Sequence, residues 1–219
     1  MTKLLISGAS NSGKTSLLKG LENALIISID GKKFPMAMPH VNISDFDDVD
    51  HLINTINTKV AAYQEKFGAL PAMMVFDTVS RIFETIANNC NKKYTGFAIY
   101  TELNKEVAKF NAYIENTLVA NNISTIILSH ATYDADTGKY ELVSQGSFKK
   151  IGGFLSVVDE AIFLETKGSK RIIHHKSTKF PARSIVPDLA SNVPLEEFNL
   201  STHMDLLAKH TGNAAEHEL

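Results

Sequence analysis

Gly8-Ala9-Ser10-Asn11-Ser12-Gly13-Lys14-Thr15 fits the phosphate-binding pattern G-x-x-x-x-G-K-[ST] and stands between a strand signal and a helix signal. The spacing has a chemical reason. Glycines let successive backbone N–H groups turn toward a β-phosphate, and the positive end of a following helix adds its field. Lys14 is then expected to reach the β- and γ-phosphates, and Thr15 to ligate Mg²⁺, with Ser16 closing the binding segment. Average residue usage makes a chance match about a 1% event in a chain this long. The context narrows it further. Lys3-Leu4-Leu5-Ile6-Ser7 is a short apolar run suited to a buried parallel strand, and Ser16-Leu17-Leu18-Lys19 reads as the start of a helix.

The 219 residues suffice for one α/β domain, read as residues 1–219 with a core of about 3–187 and a short helix and polar tail after it. A formal net charge of -2 gives no overall basic field toward nucleic acid or membrane, so any such binding must come from a local patch or an assembled surface. The single cysteine, Cys90, lies in a polar Asn-Asn-Cys-Asn setting and reads as a bystander thiol. It suits a reducing cytosol. No apolar run approaches the roughly 20 residues that span a bilayer, so no membrane partner and a cytoplasmic location are expected.

Strand and helix signals then alternate. Ala24-Leu25-Ile26-Ile27-Ser28-Ile29 predicts a second strand ending at Asp30-Gly31. Ser44 with Asp47 three residues on reads like a capping box, opening a helix whose apolar stripe runs from Val49 to Phe67 and which Gly68 and Pro71 end. Ala72-Met73-Met74-Val75-Phe76 predicts a third strand running into Asp77-Thr78. A helix follows from Ser80 to about Asn89, then a polar loop around Cys90 and Gly96. Leu103, Val107, Phe110, Ile114 and Leu118 mark a longer helix. Thr125-Ile126-Ile127-Leu128 predicts a fourth strand ending at Ser129-His130. This alternation predicts a mostly parallel sheet with helices on both faces. Beyond it, Tyr133 to Val143 around Asp136-Thr137-Gly138 reads as a hairpin-like arm. Ala161 to Leu164 and Arg171 to His175, joined by Lys167-Gly168, add an antiparallel extension. A terminal helix is expected near Met204 to Lys209.

Several side chains stand where chemistry could use them, each beside a plainer reading. Asp77, at a strand's carboxyl end, is placed to hold Mg²⁺ through a water; the alternative is a helix N-cap. Asp30 could orient an attacking water as general base, or simply form an Asp-Gly turn. Ser129 and His130 could sense a γ-phosphate, or be solvated. Lys176, Lys179 and Arg183 could reach a neighbouring subunit's phosphates, or sit on a solvated loop. Phe148, Lys149 and Lys150 offer stacking and charge for single-stranded DNA, whereas the alternative returns the phenylalanines, Phe154 included, to the core. Asn104-Lys105 lacks the aspartate two residues on that guanine recognition requires, so adenine is favoured. Three arginines are few for a nucleotide kinase. His174 and His175 are adjacent on a predicted strand, point to opposite faces and cannot chelate one metal together.

Together these features resemble the RecA-like ATPases, and in size and layout the small bacteriophage members associated with DNA recombination and single-strand annealing. Gly8 to Thr15 match the Walker A loop, and Val75-Phe76-Asp77-Thr78 the apolar strand ending in Asp and a small hydroxyl residue. Asp30 falls where that family carries its catalytic acid, Ser129-His130 where it carries a sensor, and Thr132 to Val157 where it carries a DNA-binding loop. Lys176, Lys179 and Arg183 resemble its interface-crossing basic residues. The resemblance covers about residues 3–187. It implies a RecA-like P-loop NTPase fold, ATP and Mg²⁺ as cofactors, ATP hydrolysis to ADP and phosphate, and a head-to-tail homo-oligomer. It also implies single-stranded DNA and other replication or recombination proteins as partners, in a host cytoplasm if the chain is phage-encoded. Two alternatives stand beside it. One is an ATP-driven switch or loader acting on a protein partner; the other is a small-molecule P-loop kinase.

Overall fold

Apolar runs of five or six residues dictate the centre of the molecule, because such strands can satisfy their backbone in a sheet and bury side chains on both faces. The computed structural model describes residues 1–29, 34–150 and 152–215. β1 (Lys3–Gly8), β2 (Ala24–Ser28), β3 (His40–Asn42), β4 (Met73–Asp77), β5 (Ser124–Asp134) and β7 (Glu160–Lys167) form its parallel part. β8 (Lys170–His174) and β9 (Asn192–Pro194) extend it antiparallel, in the order β3-β2-β4-β5-β1-β7-β8-β9. β6 (Lys139–Leu142) folds back antiparallel on the far half of β5, which makes the expected arm.

Successive residues of one strand feed opposite cores. Leu5, Leu25, Ile27, Phe76 and Ile127 pack under α1 (Val49–Phe67), α2 (Val79–Lys93) and α3 (Phe97–Ala112). Leu4, Ile6, Ile26, Val75 and Leu128 face Leu18, Leu21 and Leu200, Met204 and Leu207 of α5 (Leu200–Ala215). Helices therefore cover both faces of a mostly parallel sheet, with antiparallel strands near the C-terminus. None of the described helices is long and apolar enough to cross a membrane.

Several local expectations are corrected. The segment after the phosphate loop is a single 3₁₀ turn, Thr15–Leu18, and not a helix of useful length. Gly20 follows it at φ 91, a conformation that glycine adopts without a Cβ clash. α1 is capped by Asp48, whose side chain accepts from His51 N at 2.9 Å, in place of Ser44. α2 runs on through Cys90, which is buried at 3% exposure and not in a polar loop. α3 continues as a π-helical turn over Tyr113–Leu118. β9 follows β8 and carries the antiparallel extension one strand beyond the expected pair. α4 (Gly146–Lys150) and a 3₁₀ turn at Gly153–Ser156 carry Phe148 and Phe154 into the core.

Candidate functional site

The carboxyl ends of β1 and β4 lie beside the middle of β5, which runs on to Asp134 past the expected end at Ser129-His130, and register fixes which side chains arrive there. Gly8 stands opposite His130 and Ser7 opposite Ser129, while Asp77 stands opposite Leu128. β5 lies between the phosphate-loop strand and the strand ending in Asp77. The loop leaves β1 at Gly8 under tight constraint: a Cβ there would stand 2.7 Å from Leu164 O and 2.9 Å from Ser12 Oγ. Gly13 adopts φ 102, closed to most L side chains. Ser16 N donates to Gly13 O at 3.0 Å and Leu17 N to Lys14 O at 3.1 Å.

Lys14 folds back over its own loop. Its Nζ donates to Gly8 O at 3.0 Å and Ala9 O at 2.8 Å and lies 3.4 Å from His130 Nδ1. Burial lowers its pKa to about 8, and the Asp77 charge opposes that shift. Thr15 Oγ1 donates to Asp77 Oδ2 at 2.8 Å. Thr78, not Asp77, occupies the N-cap position of α2, so the Asp77 carboxylate is turned toward the loop. Ser80 Oγ, on the first turn of α2, accepts from His130 N at 2.8 Å and lies 3.3 Å from Ser129 Oγ, which holds the middle of β5 against α2.

These groups border a cavity of about 600 Å³ lined by Ser10, Asn11, Gly13, Lys14, Thr15, Ser16, Asp77, Thr78, Arg81, His130 and Arg171. Its donors suit a magnesium triphosphate. Threonine hydroxyl and carboxylate oxygens are hard ligands for Mg²⁺. Thr78 Oγ1 is a buried hydroxyl with no hydrogen-bond partner among the described residues. Two arginines here escaped the sequence reading, where they entered only as a count. The Arg171 guanidinium lies over Gly13, so close that a Cβ there would stand 3.0 Å from Nη1. Arg81 reaches the cavity from α2 while pairing with Glu84 at 2.5 Å.

The other expected residues divide. Asp30 lies outside the described residues. Lys176, Lys179 and Arg183 do not line the phosphate-loop cavity of their own chain. Lys176 Nζ donates to Pro187 O at 2.6 Å, Lys179 Nζ sits 5.4 Å from the Phe180 ring centroid, and Arg183 donates to Leu155 O and Val158 O. Phe148 is a correction. Its ring is 6% exposed and packs with Phe83 and Phe154 at centroid distances of 6.0 and 5.1 Å, so it is a core residue that presents no face to a base. Lys149 and Lys150 beside it are exposed, and Lys149 Nζ lies 3.8 Å from Glu141.

A glycine loop carrying Lys14 and Thr15, an opposed strand-end aspartate, and a further strand between them define a P-loop nucleotide-binding domain of the ATPase type. A comparison of the sequence with protein families gives the same class. The profile of a family described as an AAA domain matches residues 1–184, and the chain belongs to that family. A search of curated proteins returns no match.

Proposed function

We propose that this protein is a Mg²⁺-dependent ATPase that assembles head to tail and couples its nucleotide cycle to single-stranded DNA in recombination or replication, as in small phage recombination ATPases. The observation that carries the ATPase reading is the 2.8 Å bond from Thr15 to Asp77 beneath a folded-back Lys14. These two side chains would hold Mg²⁺, which would neutralise charge on the β- and γ-phosphates. Lys14 would swing from Gly8 O and Ala9 O to those phosphates. His130, 3.4 Å from Lys14, would read the γ-phosphate, and Arg171 and Arg81 would supply charge from the same chain. Asp30 keeps its proposed role as the base. Lys176, Lys179 and Arg183 keep theirs across the subunit boundary, since they do not line the phosphate-loop cavity of their own chain.

The DNA reading is supported by a second cleft, of about 410 Å³, between the β5–β6 arm, the segment after it and the loop around Thr178. Lys139, Lys149 and Lys179 line it together with Tyr140 and Glu141, and Tyr133, outside the lining but 5.3 Å from the Tyr140 ring centroid, is 56% exposed. Lysines for phosphates with an exposed ring for base stacking suit a single strand. Steady-state ATP hydrolysis with and without single-stranded DNA tests this. Stimulation that fades with salt is expected, because counterion release weakens phosphate contacts. Turnover indifferent to DNA overturns it.

One observation favours a second reading, a switch acting on a protein partner. Phe97 and Tyr100 on α3 are 89% and 64% exposed, one helical turn apart. ATP-driven assembly without DNA-dependent turnover would select it.

A further inference from the structure

His174, the last residue of β8, and His175, just after it, find separate carboxylates. His174 Nε2 lies 2.8 Å from Glu165 Oε2. His175 turns inward to Glu160, the first residue of β7, and there meets His203 of α5.

The three side chains are almost wholly buried, at 0% exposure for Glu160, 2% for His175 and 6% for His203. Glu160 Oε1 lies 2.8 Å from His203 Nε2 and 3.5 Å from His175 Nδ1, and the three ligand atoms are all within 4.8 Å of one another. His175 Nδ1 has no hydrogen-bond partner among the described residues. The second carboxylate oxygen, Oε2, accepts from Ser184 Oγ at 2.7 Å. Phe198 closes one side, with ring centroids 5.8 Å from His175 and 5.2 Å from His203.

We propose that Glu160, His175 and His203 form a binding site for a zinc-class divalent ion that fastens α5 to the sheet. Two imidazole nitrogens and one carboxylate oxygen are a donor set that Zn²⁺ takes readily. Tetrahedral bonds of roughly 2.0–2.2 Å put neighbouring ligand atoms roughly 3.3 Å apart. The 3.5 Å separation meets that, and the 2.8 Å one opens by about half an ångström. Ser184 on the second carboxylate oxygen orients the ligand as an outer hydrogen bond does in metal sites. A cation among these three buried atoms would give His175 Nδ1, 3.5 Å from Glu160 Oε1 and without a hydrogen bond among the described residues, a direct partner. The site is separate from the phosphate loop. Glu160 pairs with Leu4 near the start of β1, whereas the loop leaves from Gly8, roughly 13 Å further along the strand.

The test uses the full chain, stripped by a chelator and titrated with Zn²⁺, then with Co²⁺, without nucleotide or Mg²⁺. The expected result is one equivalent bound, a higher melting temperature with Zn²⁺, and a visible cobalt absorption distinct from that of the aqueous ion, with a water completing the three protein ligands. His175→Gln and His203→Gln lose that equivalent, whereas His51→Ala, an exposed histidine on α1, keeps it. Ser184→Ala binds about 10- to 100-fold more weakly. Should the histidine variants fail to fold, the parent's cobalt spectrum and the Ser184→Ala affinity decide. The proposal is overturned by no stoichiometric binding with an unchanged melt, by an equivalent retained in folded His203→Gln, or by Ser184→Ala binding as tightly as the parent.

Discussion

Replacing Lys14 by alanine separates two roles that this lysine plays. The side chain is 5% exposed, and burial, opposed by the Asp77 charge, lowers its pKa from 10.5 to about 8. A depression of that size means that keeping the ammonium charged in the folded chain costs about 3 kcal/mol near neutral pH. Against this stand two charge-assisted bonds, to Gly8 O and Ala9 O, of about 1.5–3 kcal/mol each. Ala9 is exposed, so its carbonyl recovers much of that from water when the lysine goes. The terms nearly cancel. Lys14→Ala without nucleotide is therefore expected to melt within about 4 °C of the parent, roughly 1 kcal/mol for a chain of this size. With Mg-ATP at 100 times its Kd the parent gains about 2.7 kcal/mol, or roughly 5–10 °C, and the variant gains nothing. The pH dependence has a definite sign. The lysine is harder to charge in the folded state, so its penalty is fully present below pH 8 and fades as pH rises toward 10.5. The parent should thus gain on the variant between about pH 7.5 and about pH 9.5. Thermal melting at both pH values, with and without nucleotide, measures all of this. A loss above about 3 kcal/mol without nucleotide, or a nucleotide shift that survives, would refute the reasoning.

Four further outcomes are expected. Asp77→Asn should fold and still accept the Thr15 hydrogen bond, yet lose Mg²⁺-dependent stabilisation by ATP; a calorimetric titration with and without Mg²⁺ reads the difference. Gly8→Ala should lose nucleotide binding in an equilibrium binding assay, because the new methyl meets Leu164 O, a backbone atom that cannot move aside. Phe154→Ala should cost about 3–5 kcal/mol in urea unfolding, since the ring stacks on Phe83 at 5.5 Å inside a cluster with Phe110 and Phe148. For Arg183→Ala, turnover should recover when its subunits are mixed with Lys14→Ala subunits, and the absence of any recovery counts against a role across the interface.

The parts of the fold legible in the sequence are those whose signal is local. Leu4-Leu5-Ile6, Ile26-Ile27 and Ile126-Ile127-Leu128 declare buried strands by themselves, and the glycine and lysine spacing declares the loop. β3 and β9 are three residues each and alternate exposed and half-buried positions, so neither carries a run to see. Phe148 misled as a stacking residue because glycines and lysines surround it, whereas the plainer reading that returns it and Phe154 to the core holds. Only the tertiary fold brings α4 under Phe83 and Phe110. The meeting of Arg171 with Gly13, 158 positions apart, has no sequence trace. His203 left a faint one: it shares the buried side of α5 with Leu200, Met204 and Leu207, a stripe in which a histidine needs a partner.

Both borders of the sheet are short and poorly suited to being copied. β3 follows Pro39, and β9 ends in Pro194, which has no N–H to offer a further strand. Strand-to-strand addition between subunits, the cheapest route to unregulated growth, is therefore discouraged at either border. In the proposed head-to-tail assembly, copies would join through side chains and loops at the strand ends, where a bound nucleotide would govern whether they hold or part.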